Sequence, residues 1–308
     1  EVAEYLRGIP EVTDMQIYAG TSAPIGFNGL VRQYYLRAAP NLGDIQVNLQ
    51  DQHARERASH DIARAVRPAL ATIGARYSAA VKLVEVPPGP PVLAPIVAEV
   101  YGPDYVGQIA KAQALRERFA NTDGVVDVDD SVESASTRTI LRIDRQRATH
   151  LGLSQVDIAA TVAAALGGED ATYLRTGHGS EPVPVRLEFP VAEKARLDAV
   201  LALKVRSRSG ALVPLGEVFT VIDGRWERTV YHKNLLPVVY VTGDMAGALD
   251  SPLYGQFDVV GQLDGTLDQY FIRQPGSPFD YSVKWDGEWQ ITYETFRDMG
   301  AAYSVGLL

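Results

Sequence analysis

Apolar and polar residues alternate along 44–49, where Ile45, Val47 and Leu49 are separated by Gln46 and Asn48. This period of two predicts a strand with one buried face, and Val12 to Ala19 predicts another before it. The period then changes. Ala58, Ile62, Ala65, Val66, Ala69 and Ile73 recur at helical spacing, with Arg55, Arg57, Arg64 and Arg67 on the outer face. Pro68 should bend or break that helix, because proline has no N–H and its ring meets the preceding turn. Tyr77 to Val86 returns to a strand pattern that stops at Pro87-Pro88-Gly89-Pro90-Pro91. Prolines at that density forbid both helix and ladder and mark a subdomain border.

A second unit opens with a strand over Ile96 to Tyr101, a turn at Gly102, and Pro103 where a first helical turn suits it. Tyr105, Ile109, Ala112, Leu115 and Phe119 form one apolar stripe, ended by Asn121-Thr122-Asp123-Gly124, and a strand over Val125 to Val132 follows. This strand-helix-strand is half of a split βαββαβ unit. Its other half lies near residue 228: a strand over Thr229 to Thr242, a helix around Leu253 to Gln262, and a strand over Phe279 to Trp285. The segment between, about 138–224, reads as an inserted mixed α/β domain. It carries a strand through Thr139, Leu141 and Ile143, and a capping box at Ser154-Gln155-Val156-Asp157 before a helix ended by Gly167-Gly168. A strand alternating Val185, Leu187 and Phe189, a helix over Leu197 to Leu201, and a hairpin around Ser209-Gly210 complete it. The fold class is therefore α+β.

The ends add an expectation about context. Glu1-Val2-Ala3-Glu4-Tyr5-Leu6 has no initiator methionine, basic segment or apolar leader, so the start reads as cut. Residues 291–308 grow steadily more apolar toward Leu308 and read as the first turns of a membrane helix, although nothing here reaches the roughly 20 apolar residues of a full span. Trp285, Trp289 and Tyr293 just ahead suit a membrane–water interface. An ordinary C-terminal amphipathic helix is the plainer reading of the same pattern.

Composition narrows the function. Hydrophobic residues make up 46% of the 308, enough for two or three compact units. With 29 basic against 38 acidic residues the formal charge is -9, which disfavours a phosphate backbone as partner. There is no cysteine, so disulfides and thiolate metal sites are excluded. No nucleophile elbow, phosphate-binding glycine loop or His-Glu-x-x-His occurs, and the chain is expected not to be an enzyme, with no catalytic residues and no cofactor. His53 and His60, seven apart, read as a solvated pair on an arginine-rich helix rather than a metal site, and Asp127 and Asp129 as a solvated strand face. Met15, Met245 and Met299 do not cluster, which disfavours copper or silver. An apolar, aromatic loop stands in place of catalysis: Tyr18 and Gly20 to Leu30, with Pro24 and Phe27, can bend around a hydrophobic guest.

Ile143-Asp144-Arg145-Gln146-Arg147-Ala148, then Leu151-Gly152-Leu153-Ser154-Gln155-Val156-Asp157-Ile158, resembles the entry to the docking domain of resistance-nodulation-division (RND) efflux transporters. Val213-Pro214-Leu215-Gly216-Glu217-Val218 is similar to the strand that leaves that domain, and Glu294-Thr295-Phe296-Arg297-Asp298-Met299-Gly300 to the approach to the next membrane helix. The Gly89-Pro90-Pro91 turn before Pro95-Ile96 looks more like the second, C-terminal periplasmic loop of that family than the first. The resemblance implies ferredoxin-like porter subdomains at 1–90 and at 91–137 with 225–290, a docking subdomain at 138–224, and a membrane helix beginning at 291. It implies an inner-membrane protein with this region facing the periplasm, exporting small amphiphilic substrates under proton drive. Its partners would be the other subunits of a homotrimer, a periplasmic adaptor and an outer-membrane channel, with no nucleic acid. It also implies that the loop at Tyr18, Pro24 and Phe27 gates a substrate cleft whose opposite strand is lined by Ile96, Ala98 and Val100. Residues 20–32 and 247–278 look longer than in typical drug pumps, which leaves the substrate class open. A soluble periplasmic ligand-binding or adaptor module is the alternative.

Overall fold

Burial of Leu6, Ile62, Val66 and Leu70 organises the first 85 residues. In the computed structural model, which describes residues 1–32, 38–85, 92–175, 177, 181–246, 251–263, 265 and 267–307, these residues come from helix α1 (Val2–Arg7) and helix α3 (Ser59–Arg76). Between them lie β1 (Val12–Ala19), the short helix α2 (Phe27–Val31) and β2 (Gly43–Leu49). β1 and β2 are antiparallel, with Met15 opposite Val47 and Ile17 opposite Ile45. Met15, Ile45, Val47 and Leu49 pack against the helix residues as the alternation requires. We call this the first lobe.

Two expectations fail here. Helix α3 is not broken at Pro68, which is exposed, and continues to Arg76. Residues 77–85 form no strand. Their backbone bonds elsewhere: Ala79 N donates to the Gly74 carbonyl and Leu83 N to the Asp127 carboxylate, while Val81 and Leu83 pack on the first-lobe core. The proline-rich border at 87–91 lies outside the described residues.

The second lobe begins with β3 (Ile96–Tyr101), α4 (Tyr105–Ala120) and β4 (Val125–Asp130). Asp104 caps α4 by accepting from Gly107 N at 2.7 Å, so Pro103 lies just ahead of the helix and not in its first turn. The chain then leaves for a separate unit, residues 134–228, while residues 1–133 with 229–308 form the other. The 134–228 unit contains β5 (Thr137–Ile143), α5 (Arg145–His150), α6 (Gln155–Gly167), β6 (Glu169–Leu174), β7 (Val183–Leu187), α7 (Val191–Lys194), α8 (Leu197–Leu201), β8 (Lys204–Arg206), β9 (Leu212–Pro214) and β10 (Phe219–Arg225). Its entry and exit strands, β5 and β10, pair with each other, Ile143 facing Phe219. Ala148, Leu153, Ile158, Val205, Leu215 and Val218 form its core. Ser154 caps α6 by accepting from Val156 N, and Gly168, at a φ of +80°, follows its last residue. β6 was not expected from the sequence. It pairs with β7 into a hairpin exposed on both faces, and unlike β7 it lacks the alternation that would announce it.

The second lobe resumes with β11 (Tyr231–Lys233), β12 (Leu236–Met245), α9 (Pro252–Gly261), β13 (Asp268–Tyr270), β14 (Ser282–Gly287) and α10 (Glu288–Leu307). The single strand expected over 229–242 is a hairpin: Asn234 and Leu235 both take positive φ, +50° and +69°, and reverse the chain. The sheet runs β11-β12-β3-β14-β13, with β4 also on β12. One face, built from Ile96, Ala98, Val100, Val239, Val241, Val283 and Trp285, packs with Ile109, Ala112, Leu115 and Phe119 of α4 and Val259 of α9. Trp285 therefore does not sit at an interface: it is wholly buried, stacked on Phe119 and bonded through Nε1 to Gln269. Trp289 and Tyr293 lie on α10, where Trp289 packs edge-on against Phe257 and Phe271. Among the described residues no helix is long and apolar enough to cross a membrane.

Candidate functional site

The connection between β1 and β2 turns at Gly20, whose φ of +73° favours glycine and whose N–H donates to the Leu42 carbonyl. Ala23 N donates to Asp44 Oδ2 at 3.0 Å and fixes the start of the loop. Beyond it the chain shows apolar side chains to solvent: Ile25 is 71% exposed, Phe27 59% and Leu30 61%, with Ile17 of β1 also exposed. Pro24 is exposed, and Tyr18 is half-buried with its hydroxyl donating to Gln16 Oε1 at 2.9 Å. Tyr18 lies near the end of β1, Pro24 in the connection that follows it and Phe27 at the start of α2. Ile25, Phe27 and Leu30 are thus exposed within six residues of one another, and contiguous apolar surface of that kind is where proteins meet ligands, membranes or other chains.

Ile96, Ala98 and Val100 do not join them. All three are fully buried inside the second-lobe core, and they line no surface. The strand over Ile96 to Tyr101 is where the sequence puts it, but all six of its residues are buried, and α4 and α9 cover the face of Ile96, Ala98 and Val100.

The other face of β3 is polar, and the sequence had not singled it out. Glu99, fully buried, accepts from Lys233 and from the Tyr101 hydroxyl at 2.7 Å. Lys233 also donates to Asp286, and Lys284 lies 3.8 Å from both carboxylates while donating to Gln290 Oε1 of α10 at 2.8 Å. Burial pushes the Glu99 carboxyl up, aided by its hydrogen bond with Asp286 and opposed by the two ammonium groups. Burial also opposes the Asp286 charge, but the Glu99 and Lys233 hydrogen bonds outweigh it and hold that carboxyl at about 2. Burial disfavours the Lys233 charge too, yet its bonds to Asp286 and Glu99 win and raise it. Two ammonium groups and two carboxyl groups so arranged, with Glu99 buried and Asp286 held charged, form a structural lock and not an acid-base pair open to a substrate.

Other candidate groups also have structural duties. His53 lies in a short 3-10 turn ahead of α3, so it shares no helix face with His60, whose Nδ1 is 2.9 Å from Glu85 Oε1. Asp127 and Asp129 are not a solvated pair: they meet Arg67 and Lys82 of the first lobe. Asp244 and Glu288 are pushed up, by burial first, with the Arg32 charge pulling both back. Met15 belongs to the first-lobe core, Met245 to the second, and Met299 is exposed on α10. Among the described residues no group of three His, Cys, Asp or Glu side chains is placed to hold a metal.

Residues 1–254 match the AcrB/AcrD/AcrF family. The chain belongs to that family. AcrB/AcrD/AcrF proteins are RND-superfamily efflux transporters of the inner membrane, not enzymes. No curated protein sequence matches the chain. Two solved structures, crystal forms I and II of a heavy metal efflux pump, share its fold, with TM-scores of 0.62 and 0.61 at 17% and 18% identity. The matches cover 99% and 98% of this chain but 30% of each pump chain, so it spans under a third of their length.

Proposed function

We propose that the chain is the periplasmic portion of a proton-driven RND efflux transporter and that it carries small amphiphilic compounds through a cleft beside the β1–β2 loop. In this reading 1–90 and 91–137 with 225–290 are porter subdomains that rock against each other, and 138–224 is the docking subdomain. Residues from 291 begin a membrane helix, and proton transfer takes place in membrane segments elsewhere in the protein. Other subunits of a homotrimer, an adaptor and an outer-membrane channel complete the path. The exposed apolar set Ile25, Phe27 and Leu30, beside Pro24 and Tyr18, carries the proposal within a family of efflux transporters. Tyr18, Pro24 and Phe27 touch substrate, whereas Ile96, Ala98 and Val100 hold β3 from inside.

A metal-ion cargo is the second reading, because the two similar structures are of a heavy metal efflux pump. The dispersed methionines favour the amphiphile, since softer metals are gripped by grouped sulfur ligands. Expression of the full-length protein in an efflux-deficient host decides. The amphiphile reading expects lower accumulation of dyes and detergents with unchanged tolerance of zinc, copper and silver, and the reverse outcome selects metal.

A further inference from the structure

Strand β4 holds one residue more than β12 between two rungs of their ladder: Thr242 pairs with Asp129, and Asp244 with Val126. The excess falls at Asp127, whose φ of +52° lies in the left-handed region. Bulge positions of this kind ordinarily hold glycine, and aspartate is among the few other residues that tolerate them. A bulge also re-aims a side chain. Here the Asp127 carboxylate leaves the sheet for the first lobe, where it accepts from Arg67 of α3 and from Leu83 N at 3.1 Å. Two residues on, Asp129 meets Lys82 at 2.7 Å. Among the described residues β4 pairs with β12 alone, so its other edge is open to these contacts. The Arg67 and Asp127 side chains are largely shielded from water, at 17% and 11% exposure, which makes the pair hard to replace by solvent.

We infer that Asp127 is a latch: it pins the first lobe to the open edge of the second-lobe sheet and sets how readily the two lobes part. Its consequence for transport rests on the export reading above, in which parting lobes open the space beside the Phe27 loop. The contact also explains why residues 81–85 run beside β4 without forming a strand. Lys82 and Leu83 bond to carboxylates on β4 and not to its backbone.

Asp127→Gly in the full-length protein removes the carboxylate while suiting the backbone, and Arg67→Gln breaks the pair from the other side. The 308 residues contain no cysteine, so spin labels at Gln46→Cys on β2 and Glu117→Cys on α4 report the lobe distance once any cysteine elsewhere is replaced by serine. We expect the Leu83 amide to exchange roughly ten- to a hundredfold faster in Asp127→Gly, the loss of a charge-assisted hydrogen bond. In both variants a second, longer label distance should appear. An unchanged Leu83 exchange rate, or a distance distribution identical to wild type in either variant, overturns the latch. If the lobes loosen but the wild-type protein exports neither amphiphile nor metal, the latch stands and the export reading falls.

Discussion

The Trp285 indole lies almost parallel to the Phe119 ring, their centroids 6.1 Å apart, and donates from Nε1 to Gln269 Oε1 at 2.9 Å. One side chain thus joins β14 to α4 across the core and satisfies a polar group on β13. Trp285→Ala empties that volume and strands Gln269, and should cost about 3–5 kcal/mol, read from the denaturant midpoint of the 308-residue chain. Trp285→Phe, which keeps an aromatic ring but loses the five-membered half of the indole and its bond, should cost about 2–3 kcal/mol. An alanine variant within about 1 kcal/mol of wild type would contradict this packing.

Leu235 points to a substitution that stabilises. It holds a φ of +69° at the tip of the β11–β12 hairpin and is 94% exposed, so it carries the left-handed strain with little packing in return. Asn-Gly is the favoured pair for such a turn. Leu235→Gly should therefore raise stability by about 1 kcal/mol, a melting-temperature gain of roughly 2 °C in a chain this size. A lower melting temperature would mean that the Leu235 side chain contributes more than its exposure allows.

Asp286 should leave a mark on the pH profile. Its folded-state value of about 2 lies below the ordinary 3.8, so the native state binds fewer protons than the unfolded chain between those values. Its contribution, about 2 kcal/mol, is complete above the ordinary value and is lost as pH falls through about 2. Glu99 acts oppositely: its carboxyl is raised, so its contribution fades as pH climbs through the folded value. Asp286→Asn should flatten the fall of melting temperature between pH 4 and pH 2. A slope as steep as wild type would remove Asp286 from the lock.

Much of this architecture is legible in periodicity. The bounds of β1 and β3 follow directly from the runs Val12 to Ala19 and Ile96 to Tyr101, each stopped by the glycine that follows, and those of α8 from Leu197 to Leu201. What resists reading depends on partners far along the chain. Tyr231 to Met245 looks like one strand because Asn234-Leu235 lacks the glycine that would announce a turn. β6 is exposed on both faces, so it has no alternation to detect. At the site, exposed Phe27 and its loop stand out by composition, but Ile96, Ala98 and Val100 needed the placement of α4 and α9 to be seen as core. The Glu99, Lys233, Lys284 and Asp286 lock and the Arg67 to Asp127 pair depend on register and on a bulge, which no local pattern encodes.

Export through the cleft beside the β1–β2 loop depends on the exposed side chains of that loop. Phe27→Ala combined with Ile25→Ala removes two large apolar side chains that solvent already reaches, so the full-length variant should fold and reach wild-type abundance. Accumulation of a fluorescent amphiphile in efflux-deficient cells, compared between wild type, this variant and cells without the protein, is the measurement. Under the export reading the variant accumulates the dye nearly as much as cells without the protein do. Export by the variant at the wild-type rate would contradict it and place the substrate path elsewhere.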